Sequence, residues 1–224
     1  MPKGLSILAS LLLIGIFALP NPVNATGTAA ERVDFGANPG QLRLFFYRPD
    51  TLRTPAALVV ALHGCQQTAL EYARLTGWLQ QADRWGFLLL LPEQRLINNP
   101  QRCFNWFRPA QVTRDQGEAG SIRQMIARLQ TEFPIDSQRI YVAGLSAGGA
   151  MAAALLAVYP DVFAGGASIA GVPYGCASGM LGALYCQSWG RDLRPAEWAE
   201  KVRHTAAEAN LHPQRWPILS IWQG

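Results

Sequence analysis

The sequence predicts an α/β fold, a mainly parallel sheet with helices on both faces. Three observations predict it. Short β-rich apolar runs alternate with stretches of helical period along most of the chain. The composition, 224 residues with 50% hydrophobic and 15% charged, suits one globular domain and excludes disordered, collagen-like and coiled-coil chains. No internal repeat or low-complexity segment interrupts the alternation.

Taken in order, Leu42–Tyr47 and Ala57–Leu62 read as strands, and Thr68 to Arg84 as one helix. Phe87–Leu91 is a short apolar strand closed by Pro92. Ile122, Met125, Ile126, Leu129 and Phe133 recur at helical spacing, so Ser121 to Phe133 is a helix that Pro134 stops. Ile140–Ala143 is a strand, Ala147–Val158 a small-residue helix and Gly166–Ala170 a strand. Pro195–Ala209 is a helix with Pro in its first turn, and Pro217–Trp222 is a last strand. The loop from Pro92 to Gly117 is long and rich in Asn, Arg and aromatics, as functional loops are.

Residues 1–25 read as a secretory signal: Lys3 gives the positive start, Leu5–Leu19 the apolar run, and Val23-Asn24-Ala25 a small-x-small cleavage site. The run is shorter than the roughly 20 residues of a spanning helix, and no Cys follows to take a lipid. The expectation is an extracellular or periplasmic chain without a stable membrane anchor, with residues 26–224 as its single domain. Its formal charge of +4 comes without any Lys/Arg cluster, so no nucleic-acid partner is expected. Cys65, Cys103, Cys176 and Cys186 are an even set, which export turns toward two disulfides. Cys176 and Cys186 enclose a short loop and pair most easily, leaving Cys65 with Cys103. No C-x-x-C occurs and only His63 neighbours a Cys, so neither a metal nor a cofactor is expected.

The strongest chemical signal is Gly144-Leu145-Ser146-Ala147-Gly148, set between a strand and a helix. A serine hydroxyl projecting from so tight a turn needs glycines two residues to either side, where a Cβ would clash. The helix that follows aims its first N–H groups at developing negative charge. Ser146 is the candidate nucleophile. A second loop, Leu62-His63-Gly64-Cys65-Gln66-Gln67, also joins a strand to a helix and can present a backbone N–H to an oxyanion. His63 precedes the nucleophile, against the chain order Ser, acid, His of this arrangement, so it is expected to shape the oxyanion loop or the acyl pocket.

These blocks, with Pro92-Glu93-Gln94, Cys103-Phe104-Asn105-Trp106-Phe107, Gly144 to Ala152 and Pro173-Tyr174-Gly175-Cys176-Ala177, resemble the esterase family of extracellular poly(3-hydroxybutyrate) depolymerases. The family is close to feruloyl and acetylxylan esterases, and the similarity runs from about Leu42 to Gly224. The resemblance implies an α/β-hydrolase that cleaves carboxylic esters (polyester, oligomer or plant cell-wall ester) through an acyl-enzyme. It assigns Ser146 as nucleophile, Cys65 and Ala147 as oxyanion donors, and Trp106 as an aromatic near the site. His63 and Trp106 are the expected pocket residues. In the family, the block like Ser220–Gly224 leads to the catalytic Asp and then the His, so both are expected beyond Gly224 and the domain to be incomplete at its C-terminal end. The substitutes within the chain are Asp161, Asp192, His204 and His212; Asp161 reads as a turn residue and His204 and His212 as exposed, and the chain alone is expected to be nearly inactive. The alternatives are an incomplete ester-binding remnant, or a peptidase or acyltransferase using the same elbow. Phe104, Phe107, Trp78 and Trp85 read as core, Arg102 and Arg108 as solvated charges, and Glu118 as a residue suited to a helix N-terminus.

Overall fold

The structure is a computed structural model that describes residues 25–223. The expected leader, apart from Ala25, lies outside the described residues. The elements are β1 (Thr28–Arg32), β2 (Arg43–Arg48), β3 (Ala56–Leu62), α1 (Ala69–Leu75), α2 (Trp78–Trp85), β4 (Leu88–Glu93), α3 (Pro109–Val112), α4 (Gly117–Glu132), β5 (Ile135–Leu145), α5 (Ala147–Val158), β6 (Gly165–Ile169), α6 (Met180–Trp189), α7 (Pro195–Glu208) and β7 (Ile218–Trp222). Among the described residues the strands form one sheet in the order β1-β2-β4-β3-β5-β6-β7. β1, β2 and β4 pair antiparallel, and from β4 onward every pairing is parallel.

Parallel strands buried on both faces read as near-continuous apolar runs, and β3 and β4 do so. Side chains alternate across the sheet. Leu58, Val60, Leu88, Leu90 and Val142 enter a core with Ile122, Met125 and Ile126 of α4 and Met151 and Leu155 of α5. Val59, Ala61, Leu89 and Leu91 face the other way, onto Ala69, Tyr72 and Ala73 of α1 and Leu79 and Ala82 of α2. Each fully buried leucine of this set contributes roughly 1.5–3 kcal/mol of transfer free energy.

The sheet and its two helical layers match the expected class. Several elements differ from expectation. The helix expected over Thr68–Arg84 is two, because Gly77 takes φ 78° and ends one segment as the next begins. Thr68 caps the first through a reciprocal pair with Glu71. β4 runs on through Pro92, whose missing N–H costs no bond toward β3 because that ladder has ended at Leu90. α4 starts at Gly117, before Ser121, and β5 starts at Ile135, across a register shift against β3. β1, α3 and α6 have no counterpart in the sequence reading. Trp85, expected in the core, is 53% exposed at the last turn of α2, where its indole N–H donates to Gln81 Oε1.

Candidate active site

The parallel register pairs Leu62 at the end of β3 with Gly144 near the end of β5. The loop after β3 and the turn after β5 therefore emerge side by side, at the carboxyl edge where open α/β sheets bind ligands. Ser146 is that turn. It holds φ 56° and ψ −117°, a conformation that side-chain-bearing residues rarely adopt. Two backbone bonds fix it: its N–H donates to Ile169 O of β6 at 2.8 Å, and its carbonyl accepts from Ala150 N of α5 at 2.9 Å. A Cβ on Gly144 would strike Gly148, and one on Gly148 would strike the carbonyls of Leu62 and His63. The glycines thus let α5 start against the end of β3. All twelve residues of α5 are buried, so the helix N-terminus and its dipole stay in place behind the half-exposed serine.

The loop after β3 is held from several directions. Gly64 N donates to Gln67 Oε1 at 2.8 Å, Gln66 N to Gln101 O at 2.7 Å, and Cys65 is bonded to Cys103. The second disulfide joins Cys176 to Cys186. Among the described residues neither the Cys65 nor the Ala147 amide donates to a backbone carbonyl. Cys65 lies on the loop after β3 and Ala147 at the first turn of α5.

His63 is fully buried against Phe104, with ring centroids 4.8 Å apart. Its Nε2 accepts from Gln94 N at 3.1 Å, so the proton sits on Nδ1, which donates to Gly64 O at 2.7 Å. Burial pushes the ring below the ordinary histidine range and keeps it neutral. With both nitrogens occupied, His63 braces the loop and is out of reach as a base. It lines none of the described cavities, and of its two expected roles the geometry favours shaping the loop. Trp106 is 8% exposed and packs edge-to-face on Phe107. It borders a cavity of about 300 Å³ with Val112, Tyr174, Cys176 and Lys201, whose lining does not include Ser146. A larger apolar cavity, about 440 Å³, lies between α5, α7 and β7, lined by Leu156, Val172, Trp198 and Leu219 among others.

No other described histidine reaches Ser146. His204 is exposed on α7, 3.5 Å from Glu208, and His212 is exposed in the turn beyond that helix. Asp161 lies past the far end of α5, roughly 18 Å along the helix from Ser146, gripped by Arg114 through two bonds of 2.8 Å. That grip holds its carboxyl below the usual range. Asp192 is exposed.

Glu118 was legible only as a helix-start residue. It is 1% exposed and accepts from Gln94 Nε2 (2.6 Å), Asn105 N (2.8 Å) and Asn105 Nδ2 (2.6 Å). Burial pushes its carboxyl up to about 7, against the pull of those three donors. The signal in the sequence was the pair of uncharged amides, Gln94 and Asn105, in two blocks of the long loop.

Residues 44–200 match the family described as esterase PHB depolymerase. The chain is 46% identical over 191 residues to poly(3-hydroxyalkanoate) depolymerase C of Paucimonas lemoignei, an alignment covering 85% of this chain and 45% of that protein. It is 32% identical over 221 residues to feruloyl esterase B of Talaromyces stipitatus, covering 96% of this chain and 60% of the relative. The chain thus spans about half the length of these curated relatives. Among solved structures, an acetyl xylan esterase from Aspergillus awamori superposes with a TM-score of 0.77 at 25% identity, covering 87% of this chain and 71% of the other.

Proposed function

Because the chain belongs to the esterase PHB depolymerase family and has the α/β-hydrolase fold, we propose that it is an exported carboxylic-ester hydrolase working through an acyl-enzyme on Ser146. The observation that carries the reading is the strained Ser146 turn, set beside two amides on the loop after β3 and the start of α5. The Ser146 oxygen attacks the ester carbonyl, and its proton passes to a general base. The carbonyl oxygen becomes an oxyanion that accepts from Cys65 N–H and Ala147 N–H. Collapse expels the alcohol, and water then cleaves the acyl-serine by the same steps in reverse order. Two such donors in a fixed frame contribute on the order of several kcal/mol to transition-state stabilisation.

The substrate class is the ester of a hydroxy acid polymer or its oligomers, or an acylated plant cell-wall ester, as the names of the relatives suggest. The two disulfides suit an oxidising compartment, extracellular or periplasmic. Among the described residues no helix is long and apolar enough to cross a membrane. One observation favours a second reading, an ester-binding protein without turnover: no described histidine hydrogen-bonds Ser146. Treating the full gene product with a fluorophosphonate probe and mapping the adduct by mass spectrometry separates the two. Esterase chemistry predicts one adduct, on Ser146. An unlabelled Ser146, or a label elsewhere, contradicts it.

A further inference from the structure

Building on the esterase reading, we propose that Glu118 is a positioning residue for the oxyanion loop, acting through Gln94 and His63 on the Gly64–Cys65 peptide. Each link is a hydrogen bond between buried groups. Glu118 Oε1 accepts from Gln94 Nε2, and Gln94 is itself fully buried. The Gln94 side chain is further held through its Oε1, which accepts from Arg95 N at 3.0 Å and Asn98 Nδ2 at 2.8 Å. With that side chain locked, Gln94 N donates to His63 Nε2, and this bond fixes the proton on Nδ1. Nδ1–H then holds the carbonyl of Gly64.

The last link follows from peptide geometry. In a planar trans peptide the C=O and the following N–H point in opposite directions. With Gly64 O drawn inward to the His63 ring, Cys65 N–H is directed away from the ring. Gly64 borders Leu145, so the loop runs along the residue just before the nucleophile. The peptide in the opposite flip would turn a carbonyl toward a developing oxyanion. Glu118 also holds the Asn105 amide and side chain, next to Trp106 and two residues from the cystine partner of Cys65. One buried side chain therefore ties the Asn105 segment to Gln94, and through His63 to the loop after β3, although it touches no reacting atom.

The test compares Glu118→Gln, His63→Ala and the double variant in the full gene product, with 4-nitrophenyl butyrate as substrate. Glutamine keeps the size but swaps one oxygen for an NH2 group, which in place of Oε1 opposes Gln94 Nε2 and Asn105 Nδ2 and in place of Oε2 opposes Asn105 N. The expected result is a fall in kcat of about tenfold to a hundredfold for Glu118→Gln, with KM within about twofold, since the loss falls on transition-state binding. Because Glu118 acts through His63, the double variant loses no more than His63→Ala alone. Losses that multiply, or a change confined to KM, overturn the proposal. A second measurement needs neither turnover nor a folded variant: the nitrogen NMR spectrum of the His63 ring in the unaltered protein. It is expected to show a proton on Nδ1 and none on Nε2, and a proton on Nε2 overturns the relay. If the unaltered protein turns over no ester, the esterase reading fails by itself, and the ring spectrum still decides this one.

Discussion

The centre of the sheet and its β6–β7 flank share the same parallel ladder but differ in what covers it. β3 and β4 are buried along nearly their whole length, between α1 and α2 on one face and α4 and α5 on the other. β7 pairs with β6 over five registered positions, yet Ile218, Ile221 and Trp222 are 79%, 64% and 64% exposed among the described residues. Backbone pairing alone therefore does not bury a strand. Ser146 and the loop after β3 emerge from the covered centre, where a strained serine and the buried Glu118 can be held. The flank contributes one backbone acceptor, Ile169 O, to the elbow.

The largest break in this contrast should come from the disulfides. Cys65–Cys103 spans 38 positions and ties the centre, whereas Cys176–Cys186 spans 10 near the flank. Loop-closure entropy predicts losses of about 4 and about 3 kcal/mol on replacing each pair by serine, read by denaturant unfolding. Equal or reversed losses would remove the distinction.

Much of the centre was legible in the sequence, because burial on both faces writes continuous apolar runs such as Leu88–Leu91. The elbow was legible because its glycines are sterically required. The residues Ile218-Leu219-Ser220-Ile221-Trp222 read as a strand on the same grounds, yet exposure cannot be told from apolarity. The break at Gly77 was missed because apolar residues continue across it. α6 was missed because Met180, Leu181, Leu184 and Tyr185 are exposed and leave no amphipathic pattern. The hub at Glu118 was missed because its partners come from separate segments and meet only in the fold.

A core substitution sharpens the comparison further. Leu58→Ala, at a fully buried position of β3, should cost about 3 kcal/mol, and Ile221→Ala on β7 within about 0.5 kcal/mol, both by thermal or urea unfolding. Similar costs would show that β7 is covered as well as β3.

The smallest expected effect is on pH. Burial raises the Glu118 carboxyl from 4.5 to about 7, with Arg108 among the charges that oppose the rise. Between those values the folded protein holds a proton that the unfolded chain has released. The contribution is thus full below pH 4.5 and lost as pH climbs through 7, by at most about 3 kcal/mol. Unfolding of Glu118→Gln should lack that part of the pH dependence. An unchanged profile would place the titration elsewhere.

The account rests most on Ser146, and the most direct measurement is kcat/KM on 4-nitrophenyl butyrate for the full gene product and its Ser146→Ala variant, with circular dichroism to verify folding. The account predicts a folded variant that retains less than about a thousandth of the activity, since only the oxyanion donors and binding remain. A folded Ser146→Ala protein that hydrolyses the ester at a rate near the unaltered one would contradict it and move the chemistry away from the elbow.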